Sequence, residues 1–182
     1  MTGPTYLTIL RMIFAILFTI FAMLPPTWAK IAALALFAVA AITDKIDGAW
    51  ARGKNLVTDL GAFLDPLADK MLVNLAFLVL VYLNVVPLWV FAIILVRDFA
   101  VDGMRMMAAK DGITISASIL GKLKTTFQMV ALVIILFNLI IGNDIIGIIG
   151  NVSLYIALFM TVFSGADYLI KGYKRSIKKS KK

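Results

Sequence analysis

The sequence predicts an all-α integral membrane protein with six transmembrane helices. Of its 182 residues, 62% are hydrophobic and the mean hydropathy is +0.99, whereas soluble globular proteins are roughly 45–50% apolar. Six apolar segments, each close to the ~20 residues that a helix needs to cross a bilayer, follow one another without a long polar insertion. The chain is therefore predicted to form one transmembrane domain over residues 1–182, with a basic tail at about 171–182.

Prolines and turn-forming residues separate the predicted helices. Pro4 precedes the first apolar run, and proline in the first turn is typical of a helix start. The pair Pro25 and Pro26 interrupts the chain after the first run, and turns follow the third and fifth runs at Asn84–Pro87 and Gly142–Asp144. The six predicted segments are Tyr6–Leu24, Lys30–Ala49, Phe63–Leu83, Leu88–Ala108, Thr125–Ile141 and Ile145–Ile170.

The distribution of cations predicts how the chain is oriented in the membrane. Lys30 is the only cation near the three connections that follow the odd-numbered segments. The positive-inside rule therefore places both termini and the two remaining loops in the cytoplasm. The net charge of +8 is explained by contact with anionic lipids rather than with nucleic acid. The cations on the cytoplasmic side are Arg52, Lys54, Lys110, Lys122, Lys124 and those of the tail Lys171–Lys182.

The sequence contains no cysteine, histidine or glutamate, and all ten of its acidic residues are aspartates. Disulfides and thiolate metal sites are therefore excluded, as is zinc chemistry that depends on histidine or cysteine ligands. A carboxylate that acts as a base or as a metal ligand in this chain must be an aspartate.

Four aspartates lie where two predicted helices meet a short cytoplasmic loop. Asp44 and Asp47 are three residues apart, and Asp65 and Asp69 are four apart, so each pair shares one face of a helix. Four carboxylates close together repel one another unless a cation lies between them, and Mg²⁺ prefers such oxygen ligands. Helix capping is an alternative that suits Asp65 before Pro66, but negative charge is unfavourable at a helix C-terminus, where Asp44 and Asp47 lie.

The stretch Asp44–Asp69 resembles the signature of the CDP-alcohol phosphotransferase family, D-x2-D-G-x2-A-R-x8-G-x3-D-x3-D. The resemblance implies the family's membrane fold and an active site with Mg²⁺, or Mn²⁺, at two ions per site. It implies that Asp44, Asp47, Asp65 and Asp69 bind the metal and that Asp69 is also the general base. Residues 4–11 are similar to the family's N-terminal pattern P-x-x-L-T-x-x-R. The residues implied to bind the CDP-linked donor are Thr8, Gly48, Ala51, Arg52, Thr58 and Gly61.

Charged residues within the membrane segments need a separate explanation, because they are costly there unless they face a cavity or a partner. Arg11 either extends to the headgroups or faces the site, and the N-terminal pattern favours the site. On the fourth segment, Asp98 or Asp102 could pair with Arg105, or the cations could bind substrate. Segments four and five are similar to the bacterial branch of the family that makes phosphatidylglycerophosphate, although Asp98 stands where glutamate is expected. The candidates for binding the acceptor phosphate are Arg97, Arg105, Lys122 and Lys124.

The resemblance implies a membrane-bound homodimer that transfers the phosphatidyl group of CDP-diacylglycerol to sn-glycerol 3-phosphate and releases CMP during phospholipid biosynthesis. Two alternatives remain open. One is an enzyme of the same family with inositol phosphate, serine or phosphatidylglycerol as acceptor. The other is a divalent-cation transporter, although its acidic groups would be expected near the bilayer midplane and often within repeats, and neither feature is found in this sequence.

Overall fold

The computed structural model describes the backbone over residues 3–54, 59–110 and 119–180, and side chains at residues 6, 8–43, 67–68, 70–107, 121 and 123–166. Over these residues it is all-helical, which confirms the predicted all-α class and the order of its six helices. That all six cross a membrane stays a prediction. The helices are α1 (Gly3–Met23), α2 (Thr27–Lys54), α3 (Asp59–Tyr82), α4 (Leu88–Lys110), α5 (Ile119–Ile141) and α6 (Asp144–Ser180).

The connections between helices lie where the sequence predicts them. Pro25 and Pro26 separate α1 from α2. Asn84 adopts a left-handed conformation, with φ at 57°, in the turn before α4, and Gly142 does so at 69° after α5. Asn138 completes the second turn, because its Oδ1 accepts a hydrogen bond from the Asn143 backbone N–H at 2.9 Å. Glycine and asparagine tolerate this conformation better than other residues.

Four helix boundaries extend at least four residues beyond the predicted apolar segments. Helix α2 continues to Lys54, α3 begins at Asp59, α5 begins at Ile119 and α6 continues to Ser180. Hydropathy marks the part of a helix that is apolar, whereas lysine, arginine and leucine all favour helical backbone wherever they lie. Lys122 and Lys124 therefore belong to α5 rather than to a loop, and most of the predicted basic tail continues α6.

The chain divides into two compact units, and the single domain predicted from the sequence stays a prediction. Unit 1 comprises residues 1–86 and 135–143. In unit 1, α1 packs against both α2 and α3. Lys30 Nζ donates a hydrogen bond to the Leu139 carbonyl at 3.4 Å, near the C-terminus of α5, where a positive charge is favourable. Small buried residues at helical spacing allow close helix packing, among them Ala15, Ala22, Ala29, Ala33 and Ala40.

Unit 2 comprises residues 87–134 and 144–182, and in it α4 packs beside α6. The rings of Trp89 and Tyr155 lie 6.3 Å apart between centroids, and further along both helices Arg97 contacts Ser164. Because both pairs advance in the same direction by nearly equal steps, α4 and α6 run parallel. This register fixes which residues of α6 lie beside the charged part of α4.

Two stretches in the described part of the chain are long and apolar enough to cross a membrane. They are Leu123–Ile141 and Asp144–Ala166, and only 33% and 28% of them, respectively, is buried. A core helix of a soluble protein would be mostly buried, so these largely exposed apolar surfaces suit contact with lipid. Shorter apolar stretches occur at Thr8–Met23, Thr27–Thr43 and Lys70–Tyr82.

Candidate active site

The aspartates of the predicted metal site lie on two helices of unit 1. Asp44 and Asp47 belong to the C-terminal part of α2, and Asp65 and Asp69 to the N-terminal half of α3. Because both stretches are helical, each pair shares one face of its helix. All four side chains lie outside the described residues, so the metal site stays a prediction. As a set of hard oxygen donors, the four aspartates fit Mg²⁺ or Mn²⁺.

The predicted donor-binding residues are close to these aspartates along the chain. Gly48, Ala51 and Arg52 follow Asp44 on α2 by four, seven and eight residues, so they share its helix face. Gly61 lies on α3, and Thr58 falls outside the described residues. That these residues bind the donor stays a prediction.

Thr8 and Arg11 form a buried polar pair of positions on α1. They lie three residues apart, and each is 2% exposed. Both residues have interaction partners. Arg11 is therefore enclosed by other residues of the protein, and its assignment to the site stays a prediction.

A charged cluster in unit 2 contains two of the four predicted acceptor-binding cations. Lys124 Nζ donates to both carboxylate oxygens of Asp98 at 2.8 Å. Arg97 Nη1 donates to Asp98 Oδ1 at 2.9 Å. Lys124 is buried, at 4% exposure, and the Asp98 side chain is 17% exposed, so this ion pair is only partly solvated and its attraction is stronger than that of a pair at the surface. Because one carboxylate serves two cations, the cluster keeps a positive charge that suits an anion.

The cluster extends to α6 through the other end of the Arg97 guanidinium. Arg97 Nη2 donates to Ser164 Oγ at 2.7 Å, and Ser164 Oγ donates to the Thr161 carbonyl at 3.2 Å. Both Ser164 and Thr161 are fully buried. One polar network therefore connects α4, α5 and α6 in unit 2, and it consists of Arg97, Asp98, Lys124 and Ser164.

The remaining predicted residues of the acceptor site are less fully described. One alternative from the sequence paired Asp98 with Arg105. In the structure Asp98 pairs with Arg97 and Lys124 instead. Arg105 and Asp102 are half-buried on α4, and each has interaction partners. Lys122 belongs to α5, but its side chain lies outside the described residues.

Sequence reasoning missed three residues of this part of unit 2. Ser164 and Gly165 were read as part of an apolar run, because nothing in the sequence shows that α6 lies beside Arg97. Gln128, one turn after Lys124 on α5, is 2% exposed, and its Nε2 is buried without a hydrogen-bond partner among the described residues. A buried polar residue at four-residue spacing from a lysine was the available signal for Gln128.

Comparison with known proteins gives one consistent result. The profile of the CDP-alcohol phosphatidyltransferase family matches residues 1–163. A Bacillus subtilis protein named CDP-diacylglycerol–glycerol-3-phosphate 3-phosphatidyltransferase is 36% identical, over 94% of this chain and 95% of its own length.

Two further relatives with the same name extend the similarity to other bacteria. The Escherichia coli protein is 39% identical over 91% of this chain and 92% of its own length. The Rickettsia prowazekii protein is also 39% identical, with the same coverage of 91% and 92%. The similarity therefore spans both compact units and nearly the whole length of each relative.

Proposed function

The chain belongs to the CDP-alcohol phosphatidyltransferase family, and on this premise we propose that it transfers the phosphatidyl group of CDP-diacylglycerol to sn-glycerol 3-phosphate. The products are phosphatidylglycerophosphate and CMP, and the reaction belongs to phospholipid biosynthesis. Relatives named for this reaction are similar over nine-tenths of the chain or more. The observation in the chain itself that carries the proposal is the partly buried cluster around Asp98, whose excess of cations suits a phosphorylated acceptor better than a neutral alcohol.

The donor is assigned to residues of unit 1. Asp44, Asp47, Asp65 and Asp69 would hold two Mg²⁺ or Mn²⁺ ions. When bound, the metal neutralises negative charge on the donor pyrophosphate and on the CMP leaving group. The residues proposed to bind the rest of the donor are Thr8, Gly48, Ala51, Arg52, Thr58 and Gly61.

Asp69 is proposed to take the proton of the acceptor hydroxyl as the phosphatidyl group is transferred to the acceptor oxygen. A carboxylate oxygen of Asp69 takes the proton of the acceptor hydroxyl, which increases the nucleophilicity of that oxygen. The oxygen forms a bond to the lipid-side phosphorus, and the bond from this phosphorus to the CMP oxygen breaks. No oxidant or further reactant is needed, and positioning with charge stabilisation supplies most of the catalysis in phosphoryl transfer.

The acceptor phosphate is assigned to Arg97, Arg105, Lys122 and Lys124. Arg105 follows Arg97 by eight residues, a little over two turns of α4, so the two arginines share a helix face. The planar guanidinium of arginine suits bidentate contact with phosphate oxygens, and lysine adds a point charge.

The placement in the membrane is part of the proposal. We expect six membrane-spanning helices, with both termini and the active site on the cytoplasmic side of the cell membrane. The asymmetric distribution of lysine and arginine supports this orientation. The protein is expected to act as a homodimer, as the family resemblance implies, and no nucleic acid is involved.

A panel of acceptors tests the proposed reaction. Purified protein with CDP-diacylglycerol and Mg²⁺ should release CMP with sn-glycerol 3-phosphate and much more slowly with inositol phosphate, serine or phosphatidylglycerol. Fastest release with one of those three would assign the chain to another activity of the family. Uptake of Mn²⁺ into protein-containing vesicles, without CMP release from CDP-diacylglycerol in the presence of any acceptor, would support the transporter.

A further inference from the structure

The side chain of Arg97 lies directly against the backbone of α6 at Gly165. A Cβ atom added to Gly165 would be 2.9 Å from Arg97 Cγ and 3.5 Å from Arg97 Nε. The first distance is shorter than two carbon atoms tolerate without displacement. Any other residue at position 165 would therefore move the base of the Arg97 side chain.

The guanidinium of Arg97 is held at both of its ends. Nη1 donates to Asp98 Oδ1 at 2.9 Å and Nη2 donates to Ser164 Oγ at 2.7 Å. A guanidinium has five N–H donors in a rigid plane, so two fixed contacts define the orientation of the remaining three. One of these, on Nε, is buried and has no hydrogen-bond partner in the described part of the chain.

The surroundings of Arg97 leave few other contacts that could position it. Arg97 lines a groove of about 530 Å³ between α4 and α6. The other residues that line this groove are apolar or glycine, among them Ala92, Ala100 and Ala166. Apolar side chains neither donate to a guanidinium nor fix its plane. Among the residues that the structure describes, its orientation therefore depends on Asp98, Ser164 and the space at Gly165.

We propose that Ser164 and Gly165 of α6 are positioning residues that set the Arg97 guanidinium for the phosphate of the acceptor. The inference depends on the proposed function, since it takes Arg97 to bind that phosphate. Gly165 provides the space in which the aliphatic part of Arg97 lies, and Ser164 fixes the plane of the Arg97 guanidinium. Bidentate binding needs donors held within roughly 0.5 Å, so a small displacement of Arg97 should weaken acceptor binding specifically.

The variant Gly165→Ala tests the space, with Gly103→Ala as the matched control. Both glycines are helical, but a Cβ at Gly103 has nothing within 4 Å. We expect Gly165→Ala to raise the acceptor KM about tenfold, equivalent to about 1.4 kcal/mol, with the KM for CDP-diacylglycerol changed less than twofold. Gly103→Ala should match the wild type in both constants.

The variant Ser164→Ala tests the hydrogen bond, with Thr161→Val as its control. Both hydroxyls are fully buried on α6, but that of Thr161 donates only to the Ala157 carbonyl, at 2.6 Å. We expect Ser164→Ala to raise the acceptor KM about three- to tenfold at a nearly constant donor KM. If Ser164 had a merely structural role, Ser164→Ala and Thr161→Val would both lower the melting temperature, and the acceptor KM and the donor KM would change alike.

Thermal protection by inorganic phosphate gives a readout that does not need turnover. Phosphate should raise the melting temperature of the wild type and Gly103→Ala, and do so less for Gly165→Ala and Ser164→Ala. Unchanged acceptor KM and unchanged phosphate protection in a folded Ser164→Ala or Gly165→Ala protein would overturn the positioning role. Absence of turnover with glycerol 3-phosphate in the wild type would instead overturn the proposed function, and the phosphate data would still decide the positioning.

Discussion

Replacement of Asp98 by asparagine should destabilise unit 2 to an extent that its contacts allow us to estimate. The Asp98 carboxylate accepts two hydrogen bonds from Lys124 Nζ at 2.8 Å and one from Arg97 Nη1 at 2.9 Å. Asparagine keeps a single acceptor oxygen and turns an NH₂ group toward one of the cations. Both cations then lose their carboxylate, and Lys124 remains buried at 4% exposure.

The expected loss of stability is about 2–4 kcal/mol. A hydrogen bond with a charged partner contributes roughly 1.5–3 kcal/mol, and breaking a buried ion pair costs about 3–5 kcal/mol. We take the lower part of these two ranges, because the Asp98 side chain is 17% exposed and therefore partly solvated. At roughly 2–4 °C per kcal/mol for a chain of this size, the melting temperature in detergent should fall by about 4–16 °C.

Two variants make the Asp98 measurement specific. Asp144→Asn is the matched control, because Asp144 is exposed in the first turn of α6 and asparagine caps a helix as well as aspartate does. Its melting temperature should stay within about 2 °C of the wild type. Asp98→Glu keeps the carboxylate and should recover at least half of the loss. An Asp98→Asn protein that melts together with the wild type would refute the stabilising role of this network.

Four further outcomes are expected. EDTA should abolish CMP release and Mg²⁺ should restore it, since the predicted ligands are aspartates; full turnover in chelator would contradict the metal site. Asp69→Asn should abolish turnover but retain CDP-diacylglycerol binding, whereas Asp47→Asn should weaken that binding as well, as equilibrium binding of labelled donor can show. Arg105→Ala should raise the acceptor KM about 10–100-fold, for a contact worth roughly 1.5–3 kcal/mol, with partial rescue by Arg105→Lys. Gln128→Leu should leave the melting temperature unchanged or raised, because the Nε2 atom it removes is buried with no partner in the part of the chain that the structure describes.

The helices could be predicted from the sequence because each prediction depended on local features. Long apolar runs, separated by Pro25–Pro26 and by the turns at Asn84 and Gly142, identify six helices in the correct order. The ends of the helices were harder to predict, since hydropathy changes where a helix leaves an apolar environment and not where its backbone hydrogen bonds stop. The start of α5 at Ile119 shows this, because it precedes the predicted start by six residues.

The candidate site was predictable only where its residues are close together in the sequence. The spacing of Asp44 with Asp47, and of Asp65 with Asp69, is enough to place each pair on a helix face. The partners of Asp98 depend on which helices are neighbours, and no pattern in the sequence shows that Lys124 and Arg97 share one carboxylate. The contribution of Ser164 and Gly165 depends on the parallel register of α4 and α6, which is a property of the folded chain alone.

The most direct test of the proposed reaction follows both products in one experiment. Wild-type protein in mixed micelles would receive CDP-diacylglycerol, Mg²⁺ and radiolabelled sn-glycerol 3-phosphate, with CMP and lipid-extracted label measured together. We expect one labelled phosphatidylglycerophosphate for each CMP released, and neither product when the donor is omitted. CMP release without label in the lipid fraction would contradict it, because the phosphatidyl group would then have gone to water or to another acceptor.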